Sequence, residues 1–384
     1  MRTRPAPTST DARPSDALPV EGSGERAPFE LGHRRALDGL RGVAILAVVA
    51  FHGEVPLARG GFLGVDAFFV LSGFLITSLL YEEWRRTGTI RLRAFYARRA
   101  FRLLPALFVL LVALFAYAMN IPWLDQRRRL LAEIVFTLLY VANWAQALEL
   151  VPSLDFLSHA WSLAIEEQFY LVWPLGLLLV LRARLRPRHA IALLTLAILA
   201  SALLRARLWH GVGSFPRVFF GSDTRADAPL IGCLLALALA WWGLPVSRVG
   251  RLLARATAAV ASVGLLALAM RASWLASYMY DGGFTLVAVA VAAVILGALS
   301  APHGIVGRVL ATSVLVGLGR ISYGVYLWHW PVFLALRPEV VGWGAVPTAI
   351  LRLTTTLAVA GVSFVCVERP FLRMKRRFSI HGTL

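Results

Sequence analysis

The sequence is poor in charge, poor in cysteine and, beyond its N-terminal tail, without long polar stretches. Charged residues make up only 16% of its 384 positions, whereas ordinary soluble domains carry about 25%. The two cysteines, Cys233 and Cys366, lie in separate apolar runs, outside any CxxC pattern or cysteine–histidine cluster, and a GxSxG nucleophile motif is also missing. These absences argue against a soluble globular fold, a disulfide framework, a zinc site and a GxSxG-type serine nucleophile.

Long apolar runs dominate the rest of the chain. Apolar residues make up 58% of the sequence and the mean hydropathy is +0.69. Runs of about twenty residues can cross about 30 Å of hydrocarbon as helices, and they lack the alternation of a membrane β-barrel. We therefore predict an all-α, polytopic integral membrane protein with about ten transmembrane helices, at 36–52, 62–80, 103–120, 161–181, 190–204, 228–243, 257–270, 284–300, 313–336 and 346–367.

The net charge of +18 comes from short arginine clusters between the apolar runs. This is typical of the cytoplasmic loops of membrane proteins, so we expect a lipid bilayer and no nucleic acid as partner. Because the basic segments 82–102 and 182–188 should both be cytoplasmic, an even number of crossings must separate them. The predicted spans 103–120 and 161–181 already supply two crossings. The apolar stretch 130–147 between them is therefore predicted to be a re-entrant or interfacial helix on the outer side.

The same charge pattern sets the domain organisation. We expect a disordered cytoplasmic tail at 1–35, a membrane domain at 36–371 and a basic cytoplasmic tail at 372–384. The first tail has no apolar core and so does not match a cleavable signal peptide. The protein is thus predicted to be multi-pass in the cytoplasmic (inner) membrane, with both termini in the cytoplasm.

Ionisable residues inside predicted spans are costly, and each is a hypothesis about function. The predicted outer ends of the spans carry His52, Asp66, Glu166, Asp227 and His329. Central or inner positions carry Arg41, Arg98, Arg99 and Arg102. This distribution predicts a tunnel with acid/base groups at one mouth and cations at the other, which suits an anionic co-substrate entering from the cytoplasm.

Simpler interpretations exist for several of these positions. His52 and His329 could be histidines at the level of the lipid headgroups, and the two adjacent glutamates at Glu166 could cap a helix. Glycines in the second run, at Gly60, Gly64 and Gly73, are best explained by close helix packing.

The chain resembles the acyltransferase family 3 proteins, which O-acetylate bacterial surface polysaccharides. The matching segments, in the order of the family, are LDGLRGVAILAVVAFH, GGFLGVDAFFVLSGFLIT, FYARRAFRLLPAL, WSLAIEEQFYLVWPL, TRADAPLIG, SYGVYLWHWPV and ERPF. The resemblance implies transfer of an acyl group, commonly acetyl, from acyl-CoA to a hydroxyl of a carbohydrate or other polyol. The family's arginine–histidine pair corresponds to Arg41 and His52, and its WSLxxE signature to Trp161, Ser162 and Glu166.

From this resemblance we expect His52 to be the general base on the acceptor hydroxyl, oriented by Glu166 or Asp66. Arg41, with Arg98, Arg99 and Arg102, is expected to bind the phosphates of the acyl-CoA co-substrate. Candidate acceptor-binding residues are Trp161, Ser162, Asp227, Tyr323 and His329. No metal and no permanently bound cofactor are expected.

Two alternative functions remain open. The acceptor could be a secreted natural product such as a macrolide instead of a cell-envelope or lipid-linked carbohydrate. A polytopic transporter or flippase would also contain buried charges, but it would usually show internal repeats, and none is evident in this sequence.

Overall fold

The structure is a computed structural model that describes residues 29–150, 155–211 and 213–374. Within these ranges the chain is helical and contains no strand. Its first part forms α1 (Arg35–His52), α2 (Gly64–Thr87), α3 (Leu92–Met119), α4 (Leu124–Leu138), α5 (Ala142–Ala147), α6 (Ala160–Arg182), α7 (Pro187–His210), α8 (Phe215–Phe220) and α9 (Ser222–Arg225). Its second part forms α10 (Asp227–Trp242), α11 (Arg248–Arg271), α12 (Phe284–Ser300), α13 (Ile305–Leu310), α14 (Ser313–Ala335), α15 (Pro338–Val341), α16 (Ala345–Ser363) and α17 (Arg369–Met374).

The prediction of an all-α protein with several membrane spans is confirmed, but the count of about ten is not. Among the described residues, seven helical segments are long and apolar enough to cross a membrane: Gly61–Thr87, Leu92–Met119, Ser158–Arg182, Pro187–His210, Arg248–Arg271, Met279–Ser300 and Ala345–Met374. Three predicted spans are not among these seven. Helices α1 and α14 carry polar or charged residues, and α10 is a shorter apolar helix.

The predicted basic loop at 82–102 is largely helical. Helix α2 continues to Thr87 and ends at Gly88, which adopts the left-handed conformation that favours glycine (φ 70°). Helix α3 begins at Leu92, because the segment that follows is rich in alanine, leucine and arginine, which favour helix. Most arginines of 82–102 therefore lie on helices: Arg85 and Arg86 in the last turn of α2, and Arg93, Arg98, Arg99 and Arg102 in the first turns of α3.

The ambiguous stretch 130–147 forms the end of α4 and all of α5, with a break at 139–141. Neither helix is a candidate membrane span. The predicted tails lie mostly outside the described residues, which exclude 1–28 and 375–384.

Helices α1, α2, α10 and α14 pack closely at glycines, and this packing places the site. A Cβ atom on Gly64 would collide with the backbone of Ala44 in α1, and one on Gly73 would collide with Pro229 in α10. The glycine series therefore serves helix packing, as its spacing predicted. Helix α14 runs parallel to α1, since Arg41 contacts Ser322 in the first half of both helices and His52 contacts His329 in the second half of both.

Candidate active site

A cavity of about 450 Å³ lies at the C-terminal end of α1. We call it the histidine cavity. Its lining residues are Val48, Phe51, His52, Glu54, Phe62, Val65, Gln146, Ser158, His159, Trp161, Phe219, Phe220, Trp274, Tyr326 and Trp330. The walls are therefore mainly aromatic, with a few polar groups gathered at one point, as in many small-molecule sites.

His52 is held by His329, and the hydrogen bonds fix the tautomers of both rings. Nδ1 of His329 lies 2.6 Å from the carbonyl oxygen of Tyr326, which can only accept, so this nitrogen carries the proton. Nε2 of neutral His329 is then an acceptor, and it lies 2.9 Å from Nδ1 of His52. His52 must donate from Nδ1, which leaves its Nε2 as an unprotonated base. The fixed tautomer is the one that proton abstraction by Nε2 requires.

His159 is the second histidine in the lining of the cavity, and the sequence analysis did not single it out. Its ring centroid lies 5.2 Å from that of His329, and the ring centroid of His52 lies 5.0 Å from His329 on its own side. The three rings are not arranged as a metal-ligand set within the described part of the chain, because two of them face each other nitrogen to nitrogen. The sequence feature that could have pointed to His159 is its position, two residues before Trp161 of the WSLxxE signature.

A buried carboxylate fixes the loop that leads into the cavity. Glu133 of α4 accepts hydrogen bonds from the backbone N–H groups of Asp155, at 2.7 Å, and Leu157, at 2.9 Å. Burial raises the pKa of Glu133 to about 7, although these two hydrogen bonds oppose the shift. The carbonyl of Asp155 in turn accepts from the indole of Trp330, whose ring lies 4.8 Å from His52.

A smaller cavity of about 60 Å³, the arginine chamber, adjoins the histidine cavity. It is lined by Arg41, Val65, Phe68, Phe69, Ser162, Leu163, Glu166, Ser322, Tyr323 and Tyr326. Val65 and Tyr326 line both spaces and so form the wall between them. The hydroxyl of Tyr326 donates to the carbonyl of His159 at 2.7 Å and therefore accepts from Ser162.

The four predicted phosphate-binding arginines form two groups, two that contact glutamates and two that form no ion pair with a described residue. Arg99 forms an ion pair with Glu167 and stacks over the ring of Tyr170, and Arg98 lies 3.4 Å from Glu83. By contrast, Arg41 and Arg102 form no ion pair with a described residue.

Arg41 donates to the hydroxyl of Ser322 at 3.1 Å. Arg102 lies close enough to repel it electrostatically. Of the two, Arg41 lines the arginine chamber, and a cation there without an ion pair to a described residue favours an anionic ligand.

Two predicted site residues belong instead to a buried ion-pair cluster of Asp66, Arg225, Asp227 and Arg205. Asp66 accepts from Arg225 at 2.7 Å, and Asp227 accepts from Arg205 in a bidentate pair at 2.9 and 2.8 Å. Asp66 is therefore hydrogen-bonded to Arg225 and not to His52, and neither Asp66 nor Asp227 lines the histidine cavity. Their carboxylates are occupied by arginines from other helices that the sequence pattern could not pair with them.

The remaining predicted residues lie around the two cavities. Glu166 accepts from Ser72 at 2.8 Å and lines the arginine chamber, so it does not contact His52 either. Trp161 lines the histidine cavity edge-on to Phe220. Tyr323 lines the arginine chamber, and its hydroxyl donates to the carbonyl of Leu103 at 2.8 Å.

Comparison with known proteins yields one family and a group of related enzymes. A family model described as an acyltransferase domain matches residues 34–367. The chain is 33% identical to the peptidoglycan O-acetyltransferase OatA of Listeria monocytogenes over 354 residues, 87% of this chain and 55% of that protein. It is also 33% identical to a putative peptidoglycan O-acetyltransferase, YrhL, of Bacillus subtilis over 362 residues, 90% of this chain and 56% of the relative.

A putative O-acetyltransferase of Staphylococcus aureus shows the same 33% identity over 345 residues, 87% of this chain and 56% of the relative. The chain thus spans a little over half the length of these relatives. No solved structure matches it.

Proposed function

The chain belongs to the acyltransferase 3 family, and on this premise we propose that it is a membrane O-acetyltransferase acting on a hydroxyl of a cell-envelope carbohydrate, with acyl-CoA as the donor. The observation that carries the proposal is the adjacency of two cavities with complementary chemistry. The histidine cavity offers a base of fixed tautomer, and the arginine chamber beside it offers Arg41, a cation that makes no ion pair with a described residue.

We also propose that α1, α10 and α14 cross the membrane, which brings the seven apolar spans to about ten. The directions of α1 and α14 support this, because both run from their arginine-bearing ends toward the histidine cavity. With both termini in the cytoplasm, the arginine chamber would lie nearer the cytoplasm and the histidine cavity nearer the outer face of the inner membrane. A donor made in the cytoplasm and an acceptor assembled outside would then reach adjacent spaces.

The donor side rests on Arg41 and Arg102. Charge-assisted hydrogen bonds between arginine and phosphate are among the strongest that proteins form, and the planar guanidinium can hold phosphate oxygens in two directions. An acyl-CoA carries several phosphates and a long flexible thioester arm. Eleven helical steps, about 16 Å, separate Arg41 from His52 along α1, so an arm reaching from the arginines could present its thioester near the histidine cavity.

The chemistry follows from the free Nε2 of His52. This nitrogen takes the proton of the acceptor hydroxyl while the hydroxyl oxygen attacks the thioester carbonyl carbon. The carbon–sulfur bond then breaks, and the sulfur leaves with a proton returned by the imidazolium. His329 holds the imidazolium through Nδ1, the role we had expected of Glu166 or Asp66. The products are an O-acyl ester and a free thiol.

The acceptor class draws its support from the relatives. Two of them are named for O-acetylation of peptidoglycan, which makes the glycan of the cell wall the first acceptor to test. A macrolide belongs in the same experiment as the alternative acceptor.

Acetyl transfer by the purified protein in lipid nanodiscs tests the proposal. The protein is supplied with radiolabelled acetyl-CoA and with peptidoglycan fragments, a bacterial polysaccharide or a macrolide. His52→Ala should lower the transfer rate by about 10²–10⁴-fold, and Arg41→Ala should weaken acetyl-CoA binding. The matched controls are His189→Ala and Arg320→Ala, which change exposed residues that line neither cavity.

The outcomes separate the possibilities. Transfer to peptidoglycan fragments alone supports the cell-wall acceptor, and transfer to the macrolide alone supports the natural-product alternative. A wild-type protein that neither binds acetyl-CoA nor differs from His52→Ala contradicts the acyltransferase proposal, and transport then becomes the leading alternative.

A further inference from the structure

A groove of about 610 Å³ lies between α1 and α11, and α12 and α13 complete its walls. We call it the α1–α11 groove. It is larger than the histidine cavity, and it shares no lining residue with that cavity or with the arginine chamber. The proposed acetyl transfer therefore leaves this space without a role.

The lining of the groove is almost entirely hydrocarbon. Among the described residues it contains no charged side chain and a single hydroxyl, that of Ser262. This hydroxyl donates to the carbonyl of Ala258 in its own helix, at 2.7 Å, and so it is already paired. A sugar or a nucleotide would lose its hydrogen bonds to water on entering the groove, whereas an alkyl chain would lose nothing.

The groove opens toward lipid. Helix α11 is a candidate membrane span, and exposed apolar side chains stand at the rim, among them Leu46, Leu266 and Ile305. Along α1 the lining extends from Leu40 to Ala50. These ten helical steps cover about 15 Å, which is half of the hydrocarbon core of about 30 Å. The groove is thus about as deep as one leaflet of the bilayer.

Three arginines surround α13, at the Leu40 end of the groove. Arg308 lies on α13 itself, whose side chains line the groove. Arg35 donates to the carbonyl of Ala311, just after α13, at 3.1 Å. Arg255 lies beside Gly304, just before α13, with its Nε 3.5 Å from the place that a Cβ atom would take there. The positive charges of two helices and of α13 therefore meet at one end of an apolar groove.

These arginines are available to a ligand. All three are exposed, and none of them forms an ion pair with a described residue. Guanidinium groups bind phosphate through charge-assisted hydrogen bonds. A ligand that matches the whole groove therefore has a long alkyl chain with a phosphate at one end and a net negative charge. Anionic phospholipids of the surrounding bilayer have this chemistry, whereas a zwitterionic lipid adds a cation that the arginines repel.

We propose that the α1–α11 groove binds one anionic phospholipid, with an acyl chain along α1 and the phosphate held by Arg255 and Arg308. The site lies outside the two cavities of the proposed acetyl transfer and does not depend on that reaction. A lipid in this place would fill the space between α1, which carries Arg41 and His52, and α11.

Native mass spectrometry of the purified protein, titrated in detergent with dioleoyl phosphatidylglycerol or dioleoyl phosphatidylcholine, tests the proposal. The two lipids have the same chains, so a difference between them reports on the headgroup. One phosphatidylglycerol should bind about 30-fold more tightly than phosphatidylcholine. Arg255→Gln with Arg308→Gln should abolish this preference, because each arginine near an anionic headgroup contributes a factor of about five. Binding of phosphatidylcholine should not change.

Matched variants separate the groove from the rest of the surface. Ser262→Phe places a ring in the groove and should weaken binding of both lipids by about tenfold or more, since each displaced methylene group contributes a factor of about four. Ala267→Phe adds the same ring to an exposed position of α11 outside the groove and should have no effect. Arg186→Gln with Arg188→Gln removes two exposed charges elsewhere and should keep the preference.

The contrary results are equally specific. Equal affinity of the wild type for the two lipids overturns the anionic headgroup, as does an equal loss in the Arg186 and Arg188 variant. Unchanged binding in Ser262→Phe overturns the groove as the site. Displacement of phosphatidylglycerol by a lower concentration of palmitoyl-CoA replaces the phospholipid by a long-chain acyl donor as the occupant. Because no readout uses acetyl transfer, failure of the proposed function leaves these results unaffected.

Discussion

The histidine cavity and the ion-pair cluster of Asp66, Arg225, Asp227 and Arg205 are built from the same kinds of residue. Both place ionisable side chains among apolar helices. In the cluster each carboxylate faces a guanidinium from another helix, and Arg225 also lies 3.9 Å from the ring centre of Phe284. In the cavity, the hydrogen bond that His52 makes to a described residue, His329, uses its Nδ1 and leaves Nε2 free among the described residues.

This difference separates structural from functional polar residues in a membrane domain. A charge that finds its partner inside the protein has part of its desolvation cost offset by that partner. A polar group that borders a cavity without a partner gains one only when a ligand is bound. Arg41, which lines the arginine chamber without an ion pair to a described residue, falls on the same side of this division as His52.

The largest expected effect is on catalysis, at His52. His52→Ala should lower the acetyl-transfer rate by about 10²–10⁴-fold, the usual contribution of a general base. Its melting temperature should change little, since only one neutral hydrogen bond is lost. Rate and melting curve measured on the same preparation check this, with His189→Ala as the control. A variant that keeps its rate would remove His52 from the mechanism.

Breaking the ion-pair cluster should instead lower the stability of the protein. Asp66→Ala leaves the guanidinium of Arg225 buried without a counter-ion and should destabilise the protein by about 3–5 kcal/mol. The double change Asp66→Leu with Arg225→Met replaces the pair by apolar groups and should recover much of that loss. Thermal unfolding in nanodiscs measures both. If Asp66→Ala unfolds normally but cannot transfer acetyl, Asp66 is catalytic and the division between the two regions fails.

The arginines allow the comparison to be tested within one helix. Arg102→Gln removes a cation that makes no ion pair with a described residue and should weaken acetyl-CoA binding by about 10–100-fold, as expected for a charge-assisted hydrogen bond. Arg99→Gln leaves Glu167 without its partner and should lower stability more than it lowers affinity. Binding isotherms and melting curves separate the two effects, and Arg320→Gln serves as the control. Equal loss of affinity in both variants would show that pairing in the unliganded protein does not identify the donor site.

Much of this architecture was predictable from the sequence, and the remainder depended on contacts between distant helices. Apolar runs long enough to span the bilayer predicted the helices, and the position of ionisable residues within them predicted that His52 and Arg41 would lie at opposite ends of a shared helix. The family resemblance was confirmed by the family match.

Partner choice was not predictable. Asp66 and Arg225 are 159 positions apart, and His52 and His329 are 277 apart, so no local spacing connects them. Carboxylates were favoured as partners of His52 because they fill that role in other acyl-transfer sites, whereas here a second imidazole fills it. His159 carries no periodic signal at all, and its place in the lining is a property of the folded cavity.

The smallest expected effect is at Glu133. Like the carboxylates of the ion-pair cluster it is a buried acid with hydrogen-bond partners in the protein, but it lies close to the histidine cavity. Its pKa is raised from 4.5 to about 7 by burial, so the folded protein binds its proton more tightly than the unfolded chain does. The stability that this adds is fully present below about pH 4.5 and is lost as the pH rises through about 7. From about pH 5.5 to about pH 7.5 the loss should be about 2 kcal/mol, and Glu133→Gln should not show it. Melting curves of both proteins across this range measure the difference, and parallel curves would mean that Glu133 titrates as it does in the unfolded chain. The KM for acetyl-CoA should not differ between the two, because Glu133 fixes the loop through the backbone of Asp155 and Leu157 and lines neither cavity.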